Sequence, residues 1–140
     1  METSRLAEVD PFELPDWLGT GEVTWESQAG LRTGYHVHGE LRGDGSDHRL
    51  ACDLLAVDAA YPAPVVAEGS RSRAHQAWQH GQVLVAELDE RLVLGVPGTR
   101  FDAERVLDAL GRLARAVGAS PDHFAARIRI SAQEPRGSGR

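Results

Sequence analysis

The chain has little of several residue types, and each shortage excludes a class of protein. Cysteine occurs once, at Cys52, so neither an internal disulfide nor a cysteine-rich structural zinc site can form, and we expect a cytoplasmic protein. No run of about 18 apolar residues is present, so we expect no membrane-spanning helix and no membrane partner. The first residues also lack the basic start and apolar stretch of a secretory signal.

Lysine and asparagine are both absent, and all 15 basic residues are arginine. Lysine and asparagine have AT-rich codons, whereas arginine, alanine, glycine and proline have GC-rich ones. We therefore interpret the bias as the mark of a GC-rich genome, that of an actinobacterium. A chemical preference for arginine at bidentate anion contacts is the alternative, but the joint absence of asparagine favours the genomic explanation.

Positive charge is also scarce, since 21 acidic residues outweigh the arginines and give a net charge of −6. Seven of the acids, but only Arg5 among the bases, precede residue 27, so the excess negative charge lies in the N-terminal part of the chain. An acidic segment argues against nucleic acid or an anionic membrane as partner, because both attract basic surfaces. Docking to a basic protein partner and simple solvation are the two explanations of this segment.

The length of 140 residues fits one domain. We expect an irregular acidic arm over residues 1–15, a single domain over residues 16–130 and a disordered tail over residues 131–140. Three apolar side chains near the arm are expected to pack on the domain as an extended lead-in: Phe12, Leu14 and Trp17.

Short stretches of alternating or continuous apolar residues predict six strands. Their expected bounds are Glu22–Ser27, Gly34–Arg42, Arg49–Val57, Gln82–Leu88, Arg91–Val96 and Ala126–Ile130. The third strand is apolar on both faces, which is typical of a central strand.

Two helices are predicted between these strands. Ser70–His80 begins at a serine suited to N-capping, and Asp102–Val117 carries a wide apolar face and is followed by Gly118. The element order β-β-β-α-β-β-α-β predicts an α+β fold with a mainly antiparallel sheet of about six strands. We expect both helices to pack on one face of the sheet, which leaves the other face to water.

This element order resembles the type III secretion chaperone-like fold, in which three strands, a helix, a hairpin and a helix follow one another. The resemblance covers about residues 22–117; the chain lacks the opening helix of that family, and its last strand is additional. The resemblance implies a small, often dimeric, non-catalytic binding protein.

The second predicted strand carries a candidate metal site. His36 and His38, at positions i and i+2 of a strand, point the same way and are able to bind one ion, with zinc as the suitable metal. Glu40 continues the same face as a third ligand. The alternative is that these residues form the water-facing side of the strand, opposite Val37 and Leu41.

A second candidate site lies on and around the first predicted helix. It consists of Arg71, Arg73, His75 and Gln79. His75 and Gln79 are four residues apart and share a helix face, and the arginines lie near the helix N-terminus, where backbone amides favour an anion. The group predicts either a binding site for a small anionic ligand or a solvated helix face.

Cys52 and Asp53 lie in the predicted central strand. A cysteine in an apolar strand is usually a core residue. A buried carboxylate is unfavourable unless it is paired, so we expect Asp53 to meet an arginine or a histidine, with His36 and His38 as candidates. Cys52 would then face the opposite way, and a Cys-His dyad with these histidines is not expected.

Neither a glycine-rich phosphate loop nor a nucleophile elbow is present. We therefore expect a non-enzymatic protein that acts through protein–protein interaction, an adaptor or chaperone-like module that forms a homodimer. The first alternative is a metal-binding protein or metal-dependent enzyme that uses His36, His38 and Glu40. The second is a binder of small anionic ligands.

Overall fold

The computed structural model describes residues 6–10, 13–19, 22–27, 36–43, 47–58, 68–98, 101–120 and 124–128. These ranges contain eight strands: β1 (Ala7–Glu8), β2 (Val23–Ser27), β3 (His36–Val37), β4 (Gly39–Gly43), β5 (Arg49–Val57), β6 (Leu84–Leu88), β7 (Arg91–Pro97) and β8 (Phe124–Ile128). They also contain two α-helices, α1 (Glu68–Gln79) and α2 (Ala103–Ala116), and a 3-10 helix over Asp16–Gly19.

The described strands form one sheet in the order β1-β6-β7-β5-β4-β2-β8, with β3 also paired to β5. All pairs are antiparallel except β5 with β7 and β2 with β8. The predicted α+β class, with a mainly antiparallel sheet and two helices, is confirmed. The sheet is not a simple meander, because β7 lies beside β5 although α1 and β6 separate these two strands in the sequence.

The central strand β5 has a buried cluster of side chains on each face. Leu54 belongs to a large cluster that includes Leu110 of α2, whereas Leu55 belongs to a smaller cluster that includes Ala74 of α1. Successive residues of a strand point to opposite faces, so the two helices cover β5 from opposite sides. This differs from the one-face arrangement expected from the sequence. The physical reason lies in β5 itself, which is apolar on both faces and needs cover on both.

The predicted second strand is divided at His38 into β3 and β4, but both parts keep one register against β5. His36 lies opposite Leu55, and Glu40 lies opposite Ala51. Continuing this register places His38 across from Asp53. The sheet therefore brings the histidines and the central carboxylate onto the same face.

Part of the expected N-terminal arm is ordered on the sheet. β1 pairs antiparallel with β6, with Ala7 opposite Glu87 and Glu8 opposite Ala86. Leu14 and Trp17 pack against the large cluster, as expected of a lead-in segment. Phe12 and the predicted tail over residues 131–140 lie outside the described residues.

Candidate metal centre

Asp53 lies in the middle of β5, and its side chain is the one buried charged group among the described residues, at 1% exposure. It projects from the face of Leu55, the face that α1 covers, because the two residues are two positions apart. An ionised carboxylate in such a place has to be compensated by hydrogen bonds or opposite charge.

Arg91, the first residue of β7, compensates the carboxylate with a bidentate ion pair. Arg91 Nε lies 2.9 Å from Asp53 Oδ2, and Arg91 Nη2 lies 2.9 Å from Asp53 Oδ1. The backbone N–H of Gly39 donates to Oδ1 at 3.3 Å. Charge-assisted pairs of this geometry are among the strong hydrogen bonds in proteins, so they fix the orientation of the carboxylate.

Both histidines converge on the same carboxylate oxygen. His38 Nδ1 lies 2.9 Å and His36 Nε2 lies 3.2 Å from Asp53 Oδ2. The two imidazole centroids are 4.7 Å apart and the rings are tilted by 52°. The predicted pairing of Asp53 with a histidine or an arginine is thus confirmed, and both kinds of partner are present.

Burial alone would raise the pKa of Asp53. Hydrogen bonds from His36, Arg91 and His38, together with the charge of His38, outweigh burial and hold the pKa of Asp53 well below its usual range. The same ion pair raises the pKa of Arg91. Asp53 is therefore ionised, and Arg91 charged, at neutral pH.

The three donor atoms of His36, His38 and Asp53 all lie within 4.8 Å of one another and form a group able to hold a metal ion. Glu40, which the sequence suggested as third ligand, does not belong to this group. Its Oε1 accepts a hydrogen bond from Arg42 Nε at 3.1 Å instead. Asp53 belongs to the group because it faces His38 across the β4–β5 register, whereas Glu40 faces Ala51.

A small cavity opens beside the group. Its volume is about 200 Å³, and it is lined by Glu26, His38, Gly39, Glu40 and Arg91. His38 is therefore shared between the group and the cavity, and its side chain is 57% exposed. A ligand in the cavity would have access to one side of the histidine–carboxylate group.

Of the four residues of the predicted anion site, Arg73 alone lines a cavity among those formed by the described residues. Arg73 forms an ion pair with Glu8 of β1 and lines an open groove of about 640 Å³ between α1 and β6. Arg71, His75 and Gln79 do not line this groove, and His75 and Gln79 are exposed. Arg73 is thus paired with Glu8, and the anion site stays a prediction.

Cys52 points away from the histidine–carboxylate group and lies fully buried in the large cluster. Burial, and then the negative charge of Asp53, raise the pKa of the Cys52 thiol far above its usual value. The thiol is therefore protonated and inert at neutral pH, and the expectation that no Cys-His dyad forms is confirmed.

Sequence reasoning missed the part played by Arg91 and by the backbone of Gly39. The one available signal was Asp53 itself, an acid in an apolar strand that required a partner. The partner lies 38 residues away, and nothing in the residues around Arg91 distinguishes it from an ordinary strand-end arginine.

No protein-family model, curated protein or solved structure matches the chain. Among the described residues, neither helix has the length and apolarity required to cross a bilayer.

Proposed function

We propose that the protein binds a divalent transition-metal ion, zinc in the first instance, through His36 Nε2, His38 Nδ1 and Asp53 Oδ2. The observation that carries the proposal is the convergence of three donor atoms from β3, β5 and the residue between β3 and β4. Metal–ligand distances of roughly 2.0–2.2 Å place tetrahedral ligands about 3.3–3.6 Å apart. The N–O separations of 2.9 and 3.2 Å are slightly shorter than that spacing.

The donor set suits such an ion. Two imidazoles and one carboxylate are the ligands of several open zinc and iron(II) sites, in which further positions are left for water or substrate. The carboxylate is oriented by Arg91 and Gly39, which is the usual task of groups around a metal ligand. His38 lines the adjoining cavity, through which water or a substrate would reach the ion.

The charge balance around Asp53 also has to accommodate the ion, because the Arg91 guanidinium repels a cation. Glu26 and Glu40 line the cavity together with Arg91, and the negative charge of Glu40 contributes to the raised pKa of Arg91. Three carboxylates, those of Asp53, Glu26 and Glu40, thus outnumber the two guanidinium groups of Arg91 and Arg42. The surroundings leave a net negative charge that favours a divalent cation.

Zinc titration of protein purified without an affinity tag tests the proposal. We expect one zinc ion per chain, and the double variant His36→Ala/His38→Ala should lower zinc affinity at least about 100-fold because two of three ligands are removed. The variant His75→Ala, which removes an exposed histidine from α1, serves as the matched control and should bind zinc like the native chain. Equal zinc binding by the double variant would contradict the proposal.

Protein interaction is a second candidate, and one observation favours it. β6 lies at an edge of the sheet, where among the described residues its outer side pairs only with the two-residue β1 and accepts one further hydrogen bond from Val9, and exposed strand edges pair readily with other chains. Pairing of two copies through this edge would give the homodimer expected from the sequence. A cytoplasmic setting suits either function, because the one cysteine of the chain is a buried free thiol.

A further inference from the structure

The cavity beside the histidine–carboxylate group has features that the metal ion does not use. Its volume of about 200 Å³ lies below the roughly 300–1,000 Å³ of cavities that hold drug-sized molecules. Its walls come from three strands, with Glu26 on β2, Glu40 on β4 and Arg91 on β7. A ligand of this cavity is therefore small and meets charges of both signs.

Two of the lining residues are carboxylates placed side by side. Glu26 and Glu40 lie directly opposite each other in the β2–β4 register, an arrangement of like charges that destabilises a sheet. Glu40 is partly neutralised by Arg42, at 3.1 Å. Glu26 forms no hydrogen bond or ion pair with the described residues. The unfavourable pair would gain a counter-ion if the cavity bound a cationic group.

Arg91 contributes the opposite charge to the same cavity. Its Nε and Nη2 atoms are occupied by Asp53 and by the carbonyl oxygen of Gly39, whereas Nη1 makes no hydrogen bond with the described residues. A guanidinium has N–H groups on all three nitrogens. One N–H edge of Arg91 is therefore left for an anionic group, and no ion pair within the described residues joins it to Glu26.

We propose that this cavity binds a free α-amino acid, with its ammonium group at Glu26 and Glu40 and its carboxylate at Nη1 of Arg91. A simple anion would leave the glutamates without a counter-ion, and a simple cation would leave Nη1 of Arg91 without one. A zwitterion supplies a partner to each charge, and such two-sided charge matching is a general source of specificity. The inference goes beyond metal binding and uses side chains other than the proposed metal ligands.

Calorimetric titration of the full chain with the standard amino acids tests the inference, with acetate and methylamine as probes of the two separate charges. We expect saturable binding of at least one amino acid, with an affinity at least tenfold higher than that of acetate or methylamine. If acetate or methylamine binds as tightly as every amino acid, or no amino acid saturates, the inference is overturned.

The variant Glu26→Gln locates the ammonium site. It should lower the affinity for the same amino acid at least tenfold, whereas zinc affinity should fall by a smaller factor, because Glu26 contributes negative charge near the proposed metal ligands but is not one of them. It also removes the like-charge pair, so the variant is expected to fold, which thermal unfolding checks. Glu87→Gln, an exposed glutamate of β6, is the matched control. Unchanged amino-acid affinity in Glu26→Gln would refute the inference.

Zinc titration of the same samples separates the two proposals. Zinc binding without amino-acid binding would overturn the zwitterion site alone. Amino-acid binding that depends on Glu26, without zinc binding, would support the zwitterion site and overturn the metal proposal alone.

Discussion

At the scale of single residues, Asp53 shows how an isolated buried charge is made tolerable. Its carboxylate has lost its hydration but accepts hydrogen bonds from Arg91 and Gly39, and two histidines approach its second oxygen. Removing one partner of a buried pair is strongly destabilising, because the other charge is left uncompensated. Asp53 should therefore contribute to the stability of the fold, in addition to any part it plays in binding an ion.

The metal-free protein should lose stability in acid through Asp53. Because the pKa of Asp53 is depressed in the folded protein, its ionised form stabilises the folded state at pH values above the unfolded-state pKa of about 3.9. This stabilisation is lost as the pH falls through the folded-state pKa. We expect the unfolding free energy of the native chain to fall more steeply below about pH 4 than that of Asp53→Asn. Urea unfolding at several pH values measures the free energy of unfolding of the native chain and of the variant.

At neutral pH, Asp53→Asn should lower the free energy of unfolding by about 2 kcal/mol, because Arg91 loses a charged partner but is partly solvated. The charged and titratable groups around the carboxylate are His36, His38, Glu40 and Arg91. They are retained in the variant, so the difference between the two pH profiles isolates Asp53. Parallel profiles would show that Asp53 does not contribute to acid unfolding.

At the scale of elements, Gly39 allows β4 to lie close to the Trp25 ring of β2. A Cβ atom at Gly39 would lie 2.3 Å from Trp25 Cζ2, so no side chain fits there. The closeness matters, because the Trp25 indole N–H donates to the carbonyl oxygen of Cys52 at 2.9 Å while the Gly39 N–H reaches Asp53. One small residue thus connects the packing of β2 with the orientation of the carboxylate.

Gly39→Ala should lower the free energy of unfolding by about 1–3 kcal/mol, because the added methyl group displaces the Trp25 ring. Gly111 of α2 provides the matched substitution, since a Cβ atom there meets nothing within 4 Å. Gly111→Ala should raise stability by about 0.5–1 kcal/mol through the better helix propensity of alanine. Thermal or urea unfolding measures the stability of the two variants. Equal effects of the two substitutions would contradict the packing argument.

At the scale of the whole molecule, the N-terminal arm covers part of one edge of the sheet. β1 pairs with β6, the Val9 N–H donates to the Val85 carbonyl oxygen at 2.9 Å, and Glu8 is ion-paired with Arg73 of α1. One of the acidic residues of this segment, Glu8, is therefore paired within the molecule. Without the arm, the backbone groups of β6 would face solvent along the whole edge.

Removal of residues 1–10 should therefore promote self-association through β6. We expect the truncated chain to increase in apparent mass with concentration, as measured by light scattering after size-exclusion chromatography, relative to the full chain. Glu8→Gln, which weakens the ion pair but keeps β1, is the control and should behave like the full chain. A truncated chain of constant monomeric mass would argue against edge pairing and would weaken the interaction proposal.

The helices meet at Trp78, near the C-terminal end of α1. The guanidinium carbon of Arg112, on α2, lies 3.3 Å from the Trp78 ring centroid, and the ring packs against the large cluster. This contact links the elements on the two faces of the sheet. It joins residues 34 positions apart, so the periodicity of either helix alone does not predict it.

Local pattern was sufficient for the central strand and for α2, although it missed β1. The bounds of β5 agree with the apolar run over Arg49–Val57, and α2 agrees within one residue at each end with the helix predicted from its apolar face and capping aspartate. Such patterns depend on neighbours within about a dozen residues. The sequence also identified Asp53 as a charge in need of a partner and His36 and His38 as facing the same way.

Tertiary structure decided which residues form the site. Strand register placed Asp53, not Glu40, beside the histidines, and the return of β7 beside β5 brought Arg91 onto the carboxylate. The same pairing divided the helices between the two faces. These outcomes follow from hydrogen bonding between segments far apart in the chain, whose free energy depends on the whole sheet, and for that reason no local stretch of sequence determines them.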